Sequence, residues 1–410
     1  MKHIIIAPQT LKNTEIKLPS SKSISNRLLL LNALSYSPYE IGNLSESDDT
    51  RVMQQAMTSN SNTFDVGAAG TSMRFLTAFL SKIVGEWIIT GSERMKQRPI
   101  KILVEALNQL GAKIEYIEKE GYPPLRIFGS ALTGGTIELP GNISSQYISA
   151  LMMIAPEVRG GLQIKLTGKI ISKPYIEMTL QLMDLFGVRG FWKNDTITIP
   201  EGVYKPVKTS VESDWSAASY WFEMVALQPG SEITLLGLHK NSCQGDSAVA
   251  RIFESLGVQT RHTATGTQLK QGGRKVTNFK YNFTDQPDLA QTVAVTCCCL
   301  NIPFHFTGLE SLKIKETDRI NALIVELHKL GFELSSNQTD DLTWDGTTTA
   351  SQENPTIDTY EDHRMAMAFA PAALKFKTMT INHPMVVTKS YPRYYDDLAK
   401  AGFTVEAINE

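Results

Sequence analysis

The sequence is poor in cysteine and histidine. Its 410 residues include 4 cysteines and 7 histidines, too few for a disulfide framework, and none stands in the HExxH or CxxC spacing of zinc sites. Cys297, Cys298 and Cys299 are consecutive inside an apolar run and are predicted to fill a core. We therefore expect neither a metal site nor disulfide bonds.

A surplus of charge of one sign and a long apolar run are also missing. Lys and Arg total 40 and Asp and Glu 42, so the formal net charge is -2, and no global basic field attracts nucleic acid or an anionic membrane. No apolar stretch is long enough to cross a membrane, and the first apolar run meets Pro8 too early for a signal peptide. We expect a cytoplasmic protein without nucleic-acid or membrane partners.

The familiar phosphate-binding glycine motifs do not occur either. The glycine-rich segment Gly67–Thr71 lacks the GxxxxGK[ST] spacing, and no GxGxxG segment follows a strand-like run. The sequence thus gives no support for nucleotide binding.

The sequence does contain an internal repeat. A helix-like segment that ends in an apolar residue, followed by glycine and a strand-like run, recurs with spacings of 76, 70, 74 and 71 residues. Glycine there suits the left-handed residue that ends a helix, and the alternation after it predicts a strand. These glycines are Gly111, Gly187, Gly257, Gly331 and Gly402.

A second family of helices has the same period and gives six units of two helices plus strands, which is an α/β pattern. The first unit is short, because its second helix reaches only about Met57 before a polar run, and we expect it to have lost strands. Six such units are too many for one core. They predict two domains of three units each, divided near Tyr204–Ser213. The predicted helices are Lys22–Ser35, Gly70–Ser81, Ser145–Ala155, Asp214–Leu227, Pro287–Leu300 and Glu361–Leu374; the predicted strands include Ile137–Leu139, Leu162–Leu166, Thr196–Ile199, Glu232–Leu235 and Met379–Ile381.

Unusual cations stand at the predicted helix starts. A helix N-terminus has unpaired N–H groups and partial positive charge, so several in one cleft would receive phosphate or carboxylate. Cations are misplaced there, which suggests that a bound anion relieves their repulsion; for any single one, the alternative is an ordinary capped helix with a solvated basic residue. These cations are Lys22, Arg98, Lys315, Arg319 and Arg364.

Two acids leave two interpretations open. Asp288 follows Pro287 at the start of an apolar helix, where it is either a structural cap or a proton-transfer group. Glu316 and Arg319 are three residues apart, so they either form a simple ion pair or divide substrate binding and proton transfer between them.

Seven motifs together resemble the 5-enolpyruvylshikimate-3-phosphate synthase family along essentially the whole chain. Each is weak alone, but their order and spacing are specific. They are Leu18–Arg27, Ala69–Arg74, Arg94–Pro99, Ser144–Gln146, Ser172–Tyr175, Lys315–Arg319 and Asp362–Met367. Ala68 and Ser311 depart from the family, which commonly has asparagine at both positions.

The resemblance implies an inside-out α/β barrel-like fold of two globular domains, each of three βαβαββ repeats, with the first repeat truncated. Residues 1–18 plus 213–410 would form the domain on the phosphoenolpyruvate side, and residues 19–212 the domain on the shikimate 3-phosphate side. This replaces the linear three-plus-three division. A monomer is expected.

The resemblance also implies a reaction of the shikimate pathway to chorismate and aromatic amino acids, one that glyphosate inhibits. The enolpyruvyl group of phosphoenolpyruvate passes to the 5-hydroxyl of shikimate 3-phosphate and phosphate leaves, without metal or organic cofactor. Asp288 is implied as the proton acceptor and Glu316 as the proton donor. Lys22 is a second candidate for proton delivery, to the departing phosphate.

The binding residues are carried over by position. Hydroxyls and an amide suit a phosphorylated polyol, and cations suit the phosphate and carboxylate of phosphoenolpyruvate. The implied ligands of shikimate 3-phosphate are Lys22, Ser23, Arg27, Ser144, Ser145, Gln146, Ser172, Asp288 and Lys315, and those of phosphoenolpyruvate are Lys22, Gly70, Arg98, Gln146, Arg319, Arg364 and Lys389.

Two other functions stay open. A related transferase moves enolpyruvyl onto a UDP-sugar and uses a cysteine on a mobile loop, a position that neither Cys243 nor Cys297–Cys299 matches. The other open function is that of a catalytically inactive phosphometabolite-binding or regulatory protein on the same scaffold. Such a protein would be expected to lack Asp288, Glu316 or Lys22. All three are present.

Overall fold

The chain folds into two compact units. The computed structural model describes residues 1–273 and 275–408. Unit 1 consists of Met1–Pro19 and Glu212–Glu410, and unit 2 of Ser20–Val211. The chain therefore starts in unit 1, completes unit 2 and returns, and these limits lie one residue from the expected domain limits.

Helices and strands alternate along both units. No helix of the described residues has the length and apolar character that a membrane span needs. Short 3-10 turns precede or interrupt several helices, at Ala155–Glu157, Gly245–Ala248, Pro287–Leu289, Glu310–Ile314, Ala370–Ala372 and Pro384–Lys389. In chain order the elements are β1 Lys2–Ile6, β2 Thr14–Lys17, α1 Lys22–Leu34, α2 Asp48–Thr58, β3 Thr63–Asp65, α3 Gly70–Lys82, β4 Gly85–Thr90, α4 Glu93–Lys96, α5 Lys101–Gln109, β5 Lys113–Tyr116, β6 Leu125–Gly129, β7 Thr133–Pro140, α6 Ser145–Ile154, β8 Arg159–Thr167, α7 Lys173–Leu185, β9 Phe191–Lys193, β10 Thr196–Ile199, α8 Trp215–Leu227, β11 Glu232–Leu236, α9 Val249–Ser255, β12 Val258–His262, β13 Gly266–Gln271, β14 Phe279–Asn282, α10 Ala290–Cys299, β15 Phe304–Thr307, α11 Arg319–Lys329, β16 Phe332–Ser335, β17 Leu342–Thr348, β18 Thr356–Ile357, α12 His363–Phe369, α13 Ala373–Phe376, β19 Thr378–Asn382, α14 Tyr394–Lys400 and β20 Thr404–Ile408.

One sheet topology recurs in both units. Its first two strands are parallel, and its fourth strand runs antiparallel to both the second and the third, so the order across each sheet is first, second, fourth, third. A helix joins the two parallel strands in each sheet except that of β2 and β11, which unit 2 separates in the chain. This is the βαβαββ unit. Unit 2 holds β3-β4-β6-β5 and β7-β8-β10-β9, and unit 1 holds β2-β11-β13-β12, β14-β15-β17-β16 and β18-β19-β1-β20.

Two sheets of unit 1 are completed by the start of the chain. Strand β1 runs antiparallel to both β19 and β20, with Ile5 opposite Met379 and Val405. Strand β2 pairs in parallel with β11, with Ile16 opposite Leu235. Ile5 and Ile16 are fully buried, so apolar burial holds these distant segments together.

The first repeat of unit 2 is truncated, as predicted. It consists of α1, α2 and a single parallel bridge between Gly42 and Ser210. The Gly42 N–H donates to the Thr209 carbonyl, and the Val211 N–H donates to the Gly42 carbonyl, both at 2.9 Å. Within the described residues, this bridge stands where the other repeats have a four-stranded sheet.

The periodic glycines confirm the repeat. Gly111, Gly187, Gly257, Gly331 and Gly402 have φ values of 98, 85, 101, 88 and 105°, which side chains with a Cβ rarely adopt. Each follows a helix and precedes a strand. The predicted strands are found as well, each inside an observed strand.

Two predicted helices are interrupted. The helix predicted at Glu361–Leu374 begins at His363, and a 3-10 turn containing Pro371 separates α12 from α13, because proline lacks the N–H that a continuous helix needs. The helix predicted at Pro287–Leu300 begins as a 3-10 turn. Its last turn buries Cys297, Cys298 and Cys299, at most 4% exposed, which confirms their assignment to the core.

Candidate active site

Three of the five cations predicted at helix starts are found there. Lys22 and Arg319 are the first residues of α1 and α11, and Arg364 is the second of α12. Lys315 instead follows a 3-10 turn with a non-helical backbone, and Arg98 lies between α4 and α5, where Pro99 prevents a continuous helix. The prediction that all five cations occupy first helical turns was therefore wrong for Lys315 and Arg98.

Arg319 is the centre of a charged cluster in unit 1. Its residue is 1% exposed. Its guanidinium donates to Asp288 Oδ1 at 2.8 Å, Glu316 Oε2 at 2.9 Å and Asp362 Oδ2 at 2.6 Å. Burial would lower the pKa of Arg319, but these three carboxylates outweigh it and raise the pKa. Acids of the protein thus offset the charge of Arg319 in the absence of a bound anion.

Three further cations join the same acids. Arg364 Nη2 lies 2.9 Å from Asp288 Oδ2, Lys315 Nζ lies 3.7 Å from Asp288 Oδ1, and Lys389 Nζ lies 2.7 Å from Glu316 Oε1. All the unit 1 residues expected at either substrate thus come together. This unit 1 cluster consists of Asp288, Lys315, Glu316, Arg319, Asp362, Arg364 and Lys389.

The cluster controls the ionisation of Asp288. Burial would raise the pKa of Asp288, but Arg364, Lys315 and Arg319 outweigh it and hold the pKa well below its usual range. Burial in turn lowers the pKa of Lys315, although Asp288 opposes this. The Asp288 carboxylate therefore faces three cations that favour its ionised form.

The structure shows one of the two alternatives that the spacing of Glu316 and Arg319 left open. Glu316 forms the expected ion pair with Arg319, three residues on. Its second oxygen accepts from Lys389, on the 3-10 turn Pro384–Lys389. The Glu316 carboxylate thus pairs with two cations, Arg319 and Lys389. An anion that bound these cations instead would free Glu316 to hold a proton.

Arg27 is the main buried cation of unit 2 and is 2% exposed. It donates to the Thr179 hydroxyl at 2.8 Å, the Ser149 hydroxyl at 2.9 Å and the Ser23 carbonyl at 2.9 Å. Its guanidinium also lies 5.4 Å from the Phe75 ring centroid, a cation–π distance. Arg27 thereby connects helices α1, α3, α6 and α7.

Three of the four predicted phosphoenolpyruvate residues of unit 2 meet at the start of α3. A Cβ built on Gly70 would lie 2.6 Å from Arg98 Nη1, so the guanidinium rests on this glycine. Gln146 Nε2 donates to the Thr71 hydroxyl at 3.2 Å, which links the starts of α6 and α3. Gly70, Arg98 and Gln146 therefore share one neighbourhood.

The serines predicted to bind shikimate 3-phosphate occupy caps or first turns. Ser144 caps α6 by accepting the Gln146 N–H at 3.4 Å, and Ser145 is the first residue of that helix. Ser172 precedes α7 with a left-handed φ of 54°, a backbone state that is uncommon for serine and worth noting at a candidate site. Ser23 lies in the first turn of α1.

Several structural partners were missed from the sequence. Asp362 holds Arg319 and also caps α12 through the Arg364 N–H. Asp49 pairs with Lys22 at 3.3 Å. The signal for Asp362 was present, since an aspartate two residues before an arginine at a helix start suits a cap. Asp49 gave no such signal, because its partner lies on another helix.

The described residues 1–273 and 275–408 hold no group of three or more His, Cys, Asp and Glu side chains suited to a metal ion.

The repeated sheets and the charged cluster define a two-unit α/β protein whose polar groups suit anionic ligands. Comparison with known proteins identifies it further. A sequence profile described as EPSP synthase (3-phosphoshikimate 1-carboxyvinyltransferase) matches residues 6–59 and 54–398.

Relatives match over the whole chain. A 3-phosphoshikimate 1-carboxyvinyltransferase of Bacteroides fragilis is 54% identical over 411 residues, covering 100% of both chains. One of a Sulfurovum species is 38% identical over 427 residues, covering 97% of this chain and 99% of its own. The chain belongs to the EPSP synthase family.

The fold agrees with solved structures of the same family. A structure of EPSP synthase from Acinetobacter baumannii matches with a TM-score of 0.79 at 21% identity, covering 99% of this chain and 100% of that one. At this identity the likeness concerns the fold, and it confirms the expected α/β architecture.

Proposed function

We propose that the chain transfers the enolpyruvyl group of phosphoenolpyruvate to the 5-hydroxyl of shikimate 3-phosphate and releases phosphate. The 54% identity with the Bacteroides fragilis enzyme over both whole chains carries this proposal. The unit 1 cluster supports it chemically, because it combines cations for a phosphate and a carboxylate with acids for proton transfer. The reaction belongs to the shikimate pathway and is the step that glyphosate inhibits.

The reaction adds a proton to C3 of phosphoenolpyruvate, removes one from the 5-hydroxyl of shikimate 3-phosphate, and later removes one from C3. C3 of phosphoenolpyruvate takes a proton, C2 becomes cation-like, and the 5-hydroxyl of shikimate 3-phosphate attacks C2 as its own proton leaves. The tetrahedral adduct then loses a C3 proton and phosphate, which restores the double bond. The acid and the base must therefore both lie within reach of C2 and C3 of phosphoenolpyruvate and the attacking hydroxyl.

We assign the acceptor role to Asp288. In the structure its carboxylate is ionised but strongly held by Arg319 and Arg364, which makes it a weak base. Phosphoenolpyruvate would present a phosphate and a carboxylate to the same arginines and partly neutralise them. Its binding would thus raise the basicity of Asp288 when the base is needed.

We assign the donor role to Glu316. A protonated Glu316 must give up its ion pairs with Arg319 and Lys389. The anionic groups of phosphoenolpyruvate would take over those cations and leave the carboxyl free to carry a proton. Lys22, paired with Asp49, remains the second candidate, for protonation of the departing phosphate.

The other substrate contacts are assigned by residue type. For shikimate 3-phosphate we propose the hydroxyls and amide of unit 2, the cations Lys22 and Arg27, and Asp288 and Lys315 of unit 1. For phosphoenolpyruvate we propose Lys22, Gly70, Arg98 and Gln146 of unit 2 together with the three remaining cations of unit 1. The hydroxyls and amide belong to Ser23, Ser144, Ser145, Gln146 and Ser172, and the three cations are Arg319, Arg364 and Lys389.

No observation favours transfer to a UDP-sugar. Burial raises the pKa of the Cys297 and Cys298 thiols well above their usual range, so neither forms a reactive thiolate. We further propose that the protein acts as a monomer in the cytoplasm without a cofactor.

A phosphate-release assay tests the function. Purified protein is incubated with phosphoenolpyruvate alone, with added shikimate 3-phosphate, and with added UDP-N-acetylglucosamine. We expect phosphate only in the second mixture, with an equal amount of enolpyruvyl product by mass spectrometry. Phosphate release with the UDP-sugar would favour the rival transferase, and none in any mixture would favour a binding protein.

A further inference from the structure

Asp246 is a buried acid that the proposed mechanism does not use. It lies in the 3-10 turn Gly245–Ala248, directly before α9, and is 4% exposed. Its Oδ2 accepts a short hydrogen bond from the Ser216 hydroxyl, while its Oδ1 is buried without a hydrogen-bond partner. Burial of a carboxylate with an unpaired oxygen is costly, whereas the neutral acid is much less so.

Asp246 shares its surroundings with two other acids. The turns that carry Asp246 and Asp288 both pack against α8. Asp214 caps that helix by accepting the Ser216 and Ala217 N–H groups at 2.7 and 3.2 Å. Backbone donors thus stabilise the Asp214 carboxylate and arginines stabilise that of Asp288. The Asp246 carboxylate is stabilised by a single hydroxyl, that of Ser216. Of the three acids, Asp246 is therefore the one that most readily holds a proton.

The charges that face Asp246 come from several elements. They are Asp214 at α8, Asp288 before α10, Arg364 on α12 and Tyr281 on β14. Burial, followed by repulsion from Asp288, raises the pKa of Asp246 to about 7, against the opposing effects of Arg364 and the Ser216 hydroxyl. The group would therefore change its charge within the working range of most enzymes.

We propose that Asp246 is a positioning residue that holds a proton beside the Asp288–Arg364 pair and so leaves Arg364 available to an anionic substrate. The inference rests on the proposed function, in which Arg364 binds phosphoenolpyruvate. With Asp246 neutral, the Arg364 guanidinium pairs with Asp288 and meets no negative charge from Asp246. Once Asp246 loses its proton, its new charge attracts Arg364 and repels the incoming anion, so binding weakens.

The kinetic test compares the wild-type protein with Asp246→Asn, which is neutral and similar in shape. The KM for phosphoenolpyruvate is measured between about pH 5.5 and 9. Ionisation of the substrate affects both proteins equally, so the ratio of wild-type to variant KM isolates Asp246. We expect that ratio to rise about tenfold between about pH 6 and 8. A ratio that stays constant overturns the proposal.

Ser216→Ala provides a second variant. Loss of the Ser216 hydroxyl removes a hydrogen bond that lowers the pKa of Asp246, so the rise in KM should move to higher pH. An unshifted profile, or a shift to lower pH, would contradict the proposal even if Asp246→Asn failed to fold.

A measurement without substrate separates this inference from the proposed function. The folded pKa of Asp246 lies above the unfolded value of about 3.9, so the wild type loses stability as pH rises from about 4 to 7. Asp246→Asn lacks that loss. The Tm difference between variant and wild type should therefore grow over this range and then level off, whereas a constant difference overturns the proposal. Failure of the phosphate-release assay would refute only the function.

Discussion

The two units stabilise buried charge in different ways. In unit 1, Arg319 is surrounded by three carboxylates at 2.6–2.9 Å. In unit 2, Arg27 donates to the Thr179 and Ser149 hydroxyls and to backbone carbonyls, and lies near the Phe75 ring. The first arrangement balances charge with charge, and the second uses neutral acceptors.

This difference indicates different tasks. Carboxylates compete with a substrate anion for the same cations, so binding in unit 1 would change which acids are ionised. The hydroxyl and carbonyl groups that accept from Arg27 do not change their charge when an anion binds. We therefore expect unit 1 to carry the proton transfers at the enolpyruvyl group. Unit 2 should contribute mainly binding and rigidity, with Lys22 as a second candidate for protonation of the departing phosphate.

The largest effect is expected from the acids of unit 1. Asp288→Asn and Glu316→Gln should each lower kcat about 10²–10⁴-fold, the usual range for a general acid or base, and should leave the protein folded. Steady-state phosphate release measures kcat, and circular dichroism checks the fold. Exposed Asp396→Asn and Glu353→Gln are matched controls. Wild-type turnover in either site variant would remove that residue from the mechanism.

Arg27→Lys tests the neutral arrangement of unit 2. Lysine keeps the charge but cannot reproduce the planar set of donors to Thr179, Ser149 and Ser23. We expect a loss of ~2–4 kcal/mol in the free energy of unfolding, measured by urea titration. Arg51→Lys is the control, because Arg51 forms an exposed pair with Asp48. Equal stability of both variants would contradict a structural role for Arg27.

Glu223 in α8 shows what happens to a buried acid of unit 1 without cations. It is 0% exposed, both oxygens lack hydrogen-bond partners, and burial raises its pKa well above its usual range. Its folded pKa exceeds the unfolded one, so stability is full below about pH 4.3 and falls as pH rises toward the folded pKa. Glu223→Gln should remove this loss and gain ~1–2 kcal/mol over the wild type at alkaline pH.

Glu326 is the matched control for Glu223. It is also 0% exposed but pairs with Lys329 at 2.7 Å and accepts from the Tyr360 hydroxyl at 2.6 Å. Glu326→Gln should therefore destabilise the protein where Glu223→Gln stabilises it. Measurement of Tm against pH for both variants tests this difference. If both substitutions changed Tm in the same direction, the cation partner would be shown to be unimportant.

The smallest effect is expected at Gly70. An added Cβ would meet the end of the Arg98 side chain at 2.6 Å, and a flexible end can move. Gly70→Ala should raise the KM for phosphoenolpyruvate about tenfold by displacing Arg98, and should weaken inhibition by glyphosate. Stability should change by less than ~1 kcal/mol, since alanine favours helices. Unchanged affinity for both ligands would show that Gly70 is only a helix start.

Much of the fold could be predicted because it depends on local backbone chemistry. Glycine after a helix and alternation in a strand are visible in the sequence, and so is Pro371, although the prediction of one helix over Glu361–Leu374 overlooked it. The pairing of β1 with β19 and β20 is not, because it joins segments that are distant in the chain. The βαβαββ order came from the family resemblance.

The sequence predicted which side chains cluster in unit 1, apart from Asp362, but only one of the pairs that they form. The motifs contain Glu316, Arg319 and Arg364, and Asp288 was predicted separately, at the start of an apolar helix. The Glu316–Arg319 pair follows from a spacing of three residues, whereas the other pairs depend on side-chain distances between different repeats, which no spacing in the sequence encodes. The unpaired oxygen of Asp246 is likewise a property of packing.

The most direct test of the central claim compares Asp288→Asn with Gln146→Ala in one phosphate-release titration of both substrates. If unit 1 carries the proton chemistry and unit 2 the binding, Asp288→Asn should lower kcat at least about 100-fold. Gln146→Ala, which loses a side chain bonded to Thr71, should raise KM with kcat within about tenfold of wild type. The opposite pattern, with slow turnover at saturation only in Gln146→Ala, would contradict the division of tasks.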